Sequence, residues 1–249
     1  MGLSQVLLNK MIFFYRSDDK HIGQRIALDK YEKYETNILL SQLNKNSVVV
    51  DVGANIGYYT LLAAKIAKKV YAFEPDKEAF EILKKNVEGN HLKNVVLFNK
   101  AVGSENKKVG VVRNKNNFGD SRVVKGNDIE CVRLDEVIKE KVDLVKIDVQ
   151  GYEIEVLEGM KNMRVPILLV EIDQKNIKKL NTKYKYVWSI NDFAETPWPI
   201  WPGVQIKNNN GYVDLWMKNE MSLRDYWTML KNVNYKKFIK GIMKLIWRK

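Results

Sequence analysis

Residues 48–60 read VVVDVGANIGYYT, and this stretch decides the fold. The apolar run Val48 to Val52, interrupted only by Asp51, predicts a buried strand, because β-branched side chains suit a sheet covered on both faces. Gly53, Asn55 and Gly57 follow at alternate positions. Residues that lack bulk or tolerate a positive φ let the backbone turn sharply and leave room for a ligand. From Tyr58 to Lys69 the apolar residues Leu61, Leu62, Ala64, Ile66 and Ala67 suit a helix packed on that sheet. The unit is strand, small-residue turn and helix, and open α/β sheets bind nucleotides at such turns.

A second strand, Val70 to Phe73, ends at Glu74. It places a carboxylate about twenty residues beyond the turn, the spacing of a group that binds ribose hydroxyls. The turn reads G-A-N-I-G rather than G-x-G-x-x-G, and Asp51 stands two residues before its first glycine. A carboxylate there repels a pyrophosphate and can pair with an ammonium. S-adenosylmethionine carries an α-amino group and a sulfonium but no phosphate, so it fits better than NAD. A P-loop is excluded, because no Gly-Lys-Ser/Thr follows.

Further strands are predicted at Val95 to Phe98, Val142 to Val149, Pro166 to Ile172, Tyr184 to Ile190 and Tyr212 to Met217. Helices are predicted over Asp29 to Leu43, Asp76 to Val87 and Arg133 to Glu140. In a parallel sheet Asp148 shares the crevice of Asp51 and Glu74 and points at the reacting atoms. Glu153 either caps the next helix or lines the site. Lys146 alternates with Asp148 on one strand face, as a charge partner or a solvent-facing group. Ala101 either lies along a flat adenine ring or closes an ordinary turn. Asn114 to Arg122 reads as a polar loop suited to a lid or a substrate contact. The segment with Pro197, Trp198, Pro199, Trp201 and Pro202 either walls a sugar pocket or forms a rigid surface loop.

The 249 residues suffice for one such domain with short extensions. Cys131 is the only cysteine, so no intrachain disulfide or cysteine metal site is expected and a reducing, cytoplasmic location fits. No apolar run is long enough to span a membrane, and no signal-peptide pattern is present. Residues 1–28 are expected to form an N-terminal arm, with a short helix or peripheral segment over 1–16 and a polar connection after it. The domain is expected over 29–220. Residues 221–249 predict a basic amphipathic helix, because eight of the 28 residues from Ser222 onward are basic and only Asp225 is acidic, within a net charge of +12. Such a helix suits an anionic membrane surface, docking on the domain, or pairing with another subunit. No base-reading motif supports nucleic acid as a partner.

Taken together, DVGANIGYYT, AFEPD, NKAVG, NFGDS, VRLDEV and KIDVQGYE, in this order from about Val48 to Met160, resemble the FkbM-type family of S-adenosylmethionine-dependent methyltransferases. The resemblance implies a Rossmann-like α/β fold with a seven-stranded, mostly parallel sheet, an antiparallel last strand and helices on both faces. It implies O-methylation of a hydroxyl on a sugar, glycan or secondary metabolite. It assigns Asp51, Gly53, Asn55 and Gly57 to the cofactor loop, Glu74 to the ribose, and Asp148 with Glu153 to the transfer site. The family more often has Glu-Gly-Ala where this chain has Gln150-Gly151-Tyr152, which removes a carboxylate at position 150. Both histidines, His21 and His91, are expected away from the crevice, which leaves Asp148 as base or substrate holder. Asp148, Glu153, Glu171 and Asp173 could converge on a hard cation, but no dedicated spacing supports one and no metal is assigned. The competing readings are a non-catalytic, membrane-peripheral module on the same fold and an NAD-dependent oxidoreductase.

Overall fold

The computed structural model describes residues 2–114, 117–173, 176, 179, 186–190, 198–199 and 212–218. The chain opens with a hairpin of β1 (Leu3–Leu8) and β2 (Met11–Arg16), paired antiparallel from Leu3↔Arg16 to Leu8↔Met11. This corrects the short helix or peripheral arm expected over 1–16. Met11 and Phe13 are buried at alternate positions, the period of a strand. Asn9 and Lys10 both have positive φ, the geometry of a two-residue hairpin turn.

The polar connection then buries Ile22 and Ile26 and forms α1 (Gly23–Ala27). Its entry is fixed by Asp19, whose carboxylate accepts the backbone N–H groups of His21, Ile22 and Gly23 at 3.0 Å each. Next comes α2 (Lys33–Ser41), which buries Tyr34, Ile38 and Leu39.

The first core strand is β3 (Val48–Val52), buried at every position. It leads through the glycine turn into α3 (Tyr58–Ala64), then β4 (Lys69–Phe73), α4 (Lys77–Gly89) and β5 (Val95–Phe98). Asp76 caps α4, accepting the N–H groups of Glu78 and Ala79 at 2.9 and 3.0 Å. Then follow β6 (Ala101–Val102), β7 (Lys107–Asn114), β8 (Asn117–Val132), α5 (Leu134–Val137), β9 (Leu144–Asp148), α6 (Glu153–Gly159) and β10 (Ile167–Asp173). The described chain ends in β11 (Tyr186–Ile190), β12 (Trp198–Pro199) and β13 (Tyr212–Lys218).

The central sheet has the order β12-β11-β13-β10-β9-β3-β4-β5. β10, β9, β3, β4 and β5 run parallel, and β13 is antiparallel to both β10 and β11. These are the seven expected strands with the last one antiparallel, plus the two-residue β12 at one edge. Two apolar layers cover the sheet, one around Phe13, Ile38, Leu61 and Leu83, the other around Phe73, Leu134, Ile147 and Leu168. The N-terminal hairpin therefore contributes to the first layer, and Phe13 alone stabilises it by about 2–3 kcal/mol through burial.

The free edge of β2 is closed by α4 instead of another strand. Asn86 accepts the Phe14 N–H at 2.6 Å and donates to the Phe14 carbonyl at 3.0 Å; Asn90 does the same for Ile12 at 2.9 and 2.6 Å. Two amides one helical turn apart thus satisfy an edge that would otherwise invite another chain. Residues 117–122 of the loop expected from Asn114 to Arg122 instead begin β8, which pairs antiparallel with β7. Arg113 on β7 meets Asp76 and Glu78 at the start of α4, which anchors that pair beside the strand ends. The aromatic segment around Trp201 and the basic helix over 221–249 lie outside the described residues.

Candidate active site

A cavity of about 290 Å³ opens at the carboxyl ends of the parallel strands. Gly53 and Asn55 wall it after β3, Glu74 after β4, Asp148 at the end of β9 and Glu171 near the end of β10. Tyr31 and Glu32 close one side before α2, and Gly119, Ser121 and Val123 of β8 close another.

The turn after β3 depends on its left-handed positions. Gly53 has φ +80°, and a Cβ there would stand 1.9 Å from the Asp148 carbonyl oxygen. Gly57 has φ +94°, and its missing Cβ leaves space for Leu83 of α4. The first glycine lets two strand ends converge on the cavity floor; the second lets two helices pack closely behind it. Glu74, buried, accepts the N–H groups of Asn55 and Asp76 at 2.8 Å each. Burial pushes its carboxyl up to about 8, against those two amides.

Asp51 lies directly below. Its Oδ2 accepts the Thr60 hydroxyl at 2.6 Å, while its Oδ1 is buried with no hydrogen-bond partner among the described residues. Burial raises its carboxyl, and Lys146 opposes the rise. Lys146, also buried, donates to Asp148 Oδ2 at 3.0 Å and sits 4.4 Å from the centre of the Tyr59 ring. Burial alone would lower its ammonium, but Asp148, Asp51 and Glu32 hold it above its ordinary value. It is a charge partner, not a solvent-facing group.

Of the residues read from the sequence, Gly53, Asn55, Glu74 and Asp148 share the cavity. The others stand apart from its wall. Asp51 faces Thr60 and Lys146 beneath it, and Gly57 packs on Leu83. Glu153 is fully buried, its Oε1 accepting the Gly151 N–H at 2.6 Å; it braces the turn after β9 and does not line the site. Ala101 lies in β6 against Val109 and Cys131, in a small separate core, because residue 101 has left the central sheet to pair with β8. Ala101 is not among the residues that line this cavity.

Two positions were missed. His21, expected away from the crevice, lines its rim with Arg25 because Asp19 turns the chain there. Glu32 lines the cavity too, its Oε2 accepting the Tyr59 hydroxyl at 2.8 Å. In the sequence Glu32 falls inside the helix expected over Asp29 to Leu43, whereas α2 begins only at Lys33, so no local signal marked it.

Glu32, Glu74, Asp148 and Glu171 line the cavity with four carboxyl groups that a nearby cation would favour in their ionised form, and His21 and Arg25 line it too. Such a wall disfavours a pyrophosphate and favours a cationic ligand, and the Gly53 cradle and Glu74 suit the nucleoside portion. The site and sheet together define a Rossmann-like methyltransferase, and the cofactor these residues fit is S-adenosylmethionine. The family model described as the methyltransferase FkbM domain matches residues 51–220, and the chain belongs to that family.

The chain is similar to the hexuronic acid methyltransferase AglP of Haloferax volcanii, 29% identical over 161 residues that cover 59% of this chain and 66% of that protein. It is also similar to the tRNA (guanine(37)-N(1))-methyltransferase Trm5b of Methanocaldococcus jannaschii, 34% identical over 31% of this chain and 25% of that protein. Among solved structures, M. jannaschii TYW2 in complex with AdoMet aligns with a TM-score of 0.51 at 16% identity, over 87% of this chain and 85% of that one. That likeness concerns the fold alone.

Proposed function

We propose that this chain methylates a hydroxyl oxygen on a sugar, glycan or related small metabolite. The observation that carries the reading is one cavity with Glu74 at one side and the Asp148–Lys146 pair at the other, with β3 between their strands. At about 4.8 Å per strand this gives a span of roughly 10 Å, enough to separate a ribose subsite from a transfer subsite.

Bound S-adenosylmethionine would supply an electrophilic methyl group next to a positive charge. Glu74 retains acceptor lone pairs for the ribose hydroxyls, and the backbone of Gly53 and Asn55 allows close approach. Asp148, held by Lys146, is a fixed hydrogen-bond acceptor that orients the acceptor hydroxyl. Holding both reactants in line contributes about 7–11 kcal/mol at most to lowering the barrier. The similarity to a hexuronic acid methyltransferase supports a saccharide acceptor. The acidic wall argues against a polyphosphate backbone beside it, although the chain also resembles part of a tRNA methyltransferase.

A labelled-methyl assay against saccharides, lipids, hydroxylated metabolites and RNA tests this. Label should enter a saccharide or small hydroxylated acceptor and vanish in Glu74→Ala. Label found only in RNA would overturn the acceptor class, and calorimetry showing NAD but no S-adenosylmethionine binding would overturn the reaction.

A further inference from the structure

Among the acids of the cavity wall, Glu32 is unusually placed. It enters α2 with φ +37° and ψ +46°, a left-handed conformation that a non-glycine residue adopts only where its surroundings impose it. The result is a carboxylate in the cavity wall, fixed by the Tyr59 hydroxyl at 2.8 Å. The groups around it are Tyr31 from its own turn, Tyr59 from α3, and Lys146 and Asp148 from β9, while Glu171 near the end of β10 shares the cavity.

The two acids on this side of the cavity are not equivalent. Asp148 Oδ2 is committed to the buried Lys146 ammonium at 3.0 Å, which fixes it as an orienting acceptor. Glu32 is held by a neutral phenol. Burial and the facing Asp148 push its carboxyl up to about 7, against Lys146 and the two tyrosines. A carboxyl in that range is suited to taking a proton near neutral pH. The strand order β4-β3-β9-β10 lays Glu74, Gly53, Asp148 and Glu171 along one line. Glu32, beside Asp148, therefore belongs to the half of the cavity remote from the ribose acid.

We propose that Glu32 is the carboxylate that takes the proton of the acceptor hydroxyl, and that loading the cationic cofactor ionises it for that task. The inference rests on the methyl-transfer reading of the site. As the oxygen–methyl bond forms and the methyl–sulfur bond breaks, the bonding pair stays on sulfur and the hydroxyl proton passes to Glu32. That proton leaves to water when the products depart, and Asp148 remains the orienting group throughout.

The test needs no acceptor. The full chain is titrated calorimetrically with S-adenosylmethionine and with S-adenosylhomocysteine, in buffers of different ionisation enthalpy, to count protons released. Both ligands occupy the ribose acid, so the difference between them reports the sulfonium charge. At pH near 7 the methylated cofactor should release more protons than S-adenosylhomocysteine, since the sulfonium charge favours the ionised form of a carboxyl that burial and the facing Asp148 push up. Glu32→Gln should abolish that excess and leave S-adenosylhomocysteine affinity within about threefold. Equal release by the two ligands, or an excess that persists in Glu32→Gln, would overturn the proposal.

Tyr59→Phe gives a second reading should the first variant not fold. Loss of the phenol's hydrogen bond should move the pH of greatest excess release upward, and an unmoved profile would count against Glu32. A chain that binds neither ligand would instead remove the methyl-transfer reading, and this inference with it.

Discussion

Replacing Gly53 with alanine tests the convergence of β3 and β9 on the cavity floor. Two costs arise. The residue holds φ +80°, where a Cβ costs about 1–2 kcal/mol. The new methyl would also stand 1.9 Å from the Asp148 carbonyl oxygen and 2.9 Å from its carbon, so the end of β9 must retreat by more than an ångström. Overpacking of that kind costs about 1–3 kcal/mol. The two sum to about 2–5 kcal/mol, which for a chain of this size lowers Tm by about 4–20 °C.

Gly151→Ala is the matched control. Gly151 also holds φ +80°, but nothing lies within 4 Å of its would-be Cβ, so only the conformational cost of about 1–2 kcal/mol applies. Thermal melts and urea titrations of both variants isolate the steric contribution. Gly53→Ala should be the less stable by about 1–3 kcal/mol, and it should also bind S-adenosylmethionine more weakly, because the turn and Asp148 move together. Equal melting of the two variants would refute the claim that close backbone approach, beyond turn geometry, is what requires the glycine.

Asn86→Ala should cost about 2–4 kcal/mol, since it strands the Phe14 N–H and carbonyl and the Ile56 carbonyl that Asn86 Nδ2 reaches at 2.7 Å; urea midpoints measure it, and faster hydrogen exchange should appear in β2. Glu74 imposes a pH dependence of known sign. Its carboxyl is held up to about 8 against an ordinary 4.5, so the folded state binds that proton more tightly. The contribution to stability is complete below about pH 4.5 and is lost as pH rises toward about 8. Glu74→Gln cannot ionise and should gain stability relative to wild type across that window, in ligand-free urea titrations at about pH 5 and about pH 9.

The parts of the site that were legible in the sequence are those coded by near neighbours. An apolar β-branched run, alternate small residues and an acid closing the next strand identify β3, its turn and Glu74 from one stretch. Asp148 was found because a parallel strand must end at the same edge. What escaped depends on distant partners or on weak turn chemistry. Asn9-Lys10 is a poor hairpin signal beside Asn-Gly, so the alternation of Met11 and Phe13 passed for an irregular arm. Glu32 acquires its setting only from Tyr59 and β9. Ala101 and Glu153 were misplaced relative to the cavity for the converse reason. Their neighbours in sequence suggested the site, but β6 pairs with a different sheet and the Gly151 turn folds over Glu153.

The asparagine clamp on β2 also bears on how the chain is made. Phe14 and the Asn86 side chain that completes its hydrogen bonding are 72 residues apart. At ~5–20 residues per second a ribosome takes roughly 4–14 s to deliver the second after the first. Throughout that interval the outer edge of β2 lacks the Asn86 and Asn90 side chains that satisfy it. The hairpin thus waits on α4 for its outer edge to be closed, so conditions that slow translation between β2 and α4 lengthen the period in which another strand can pair with it.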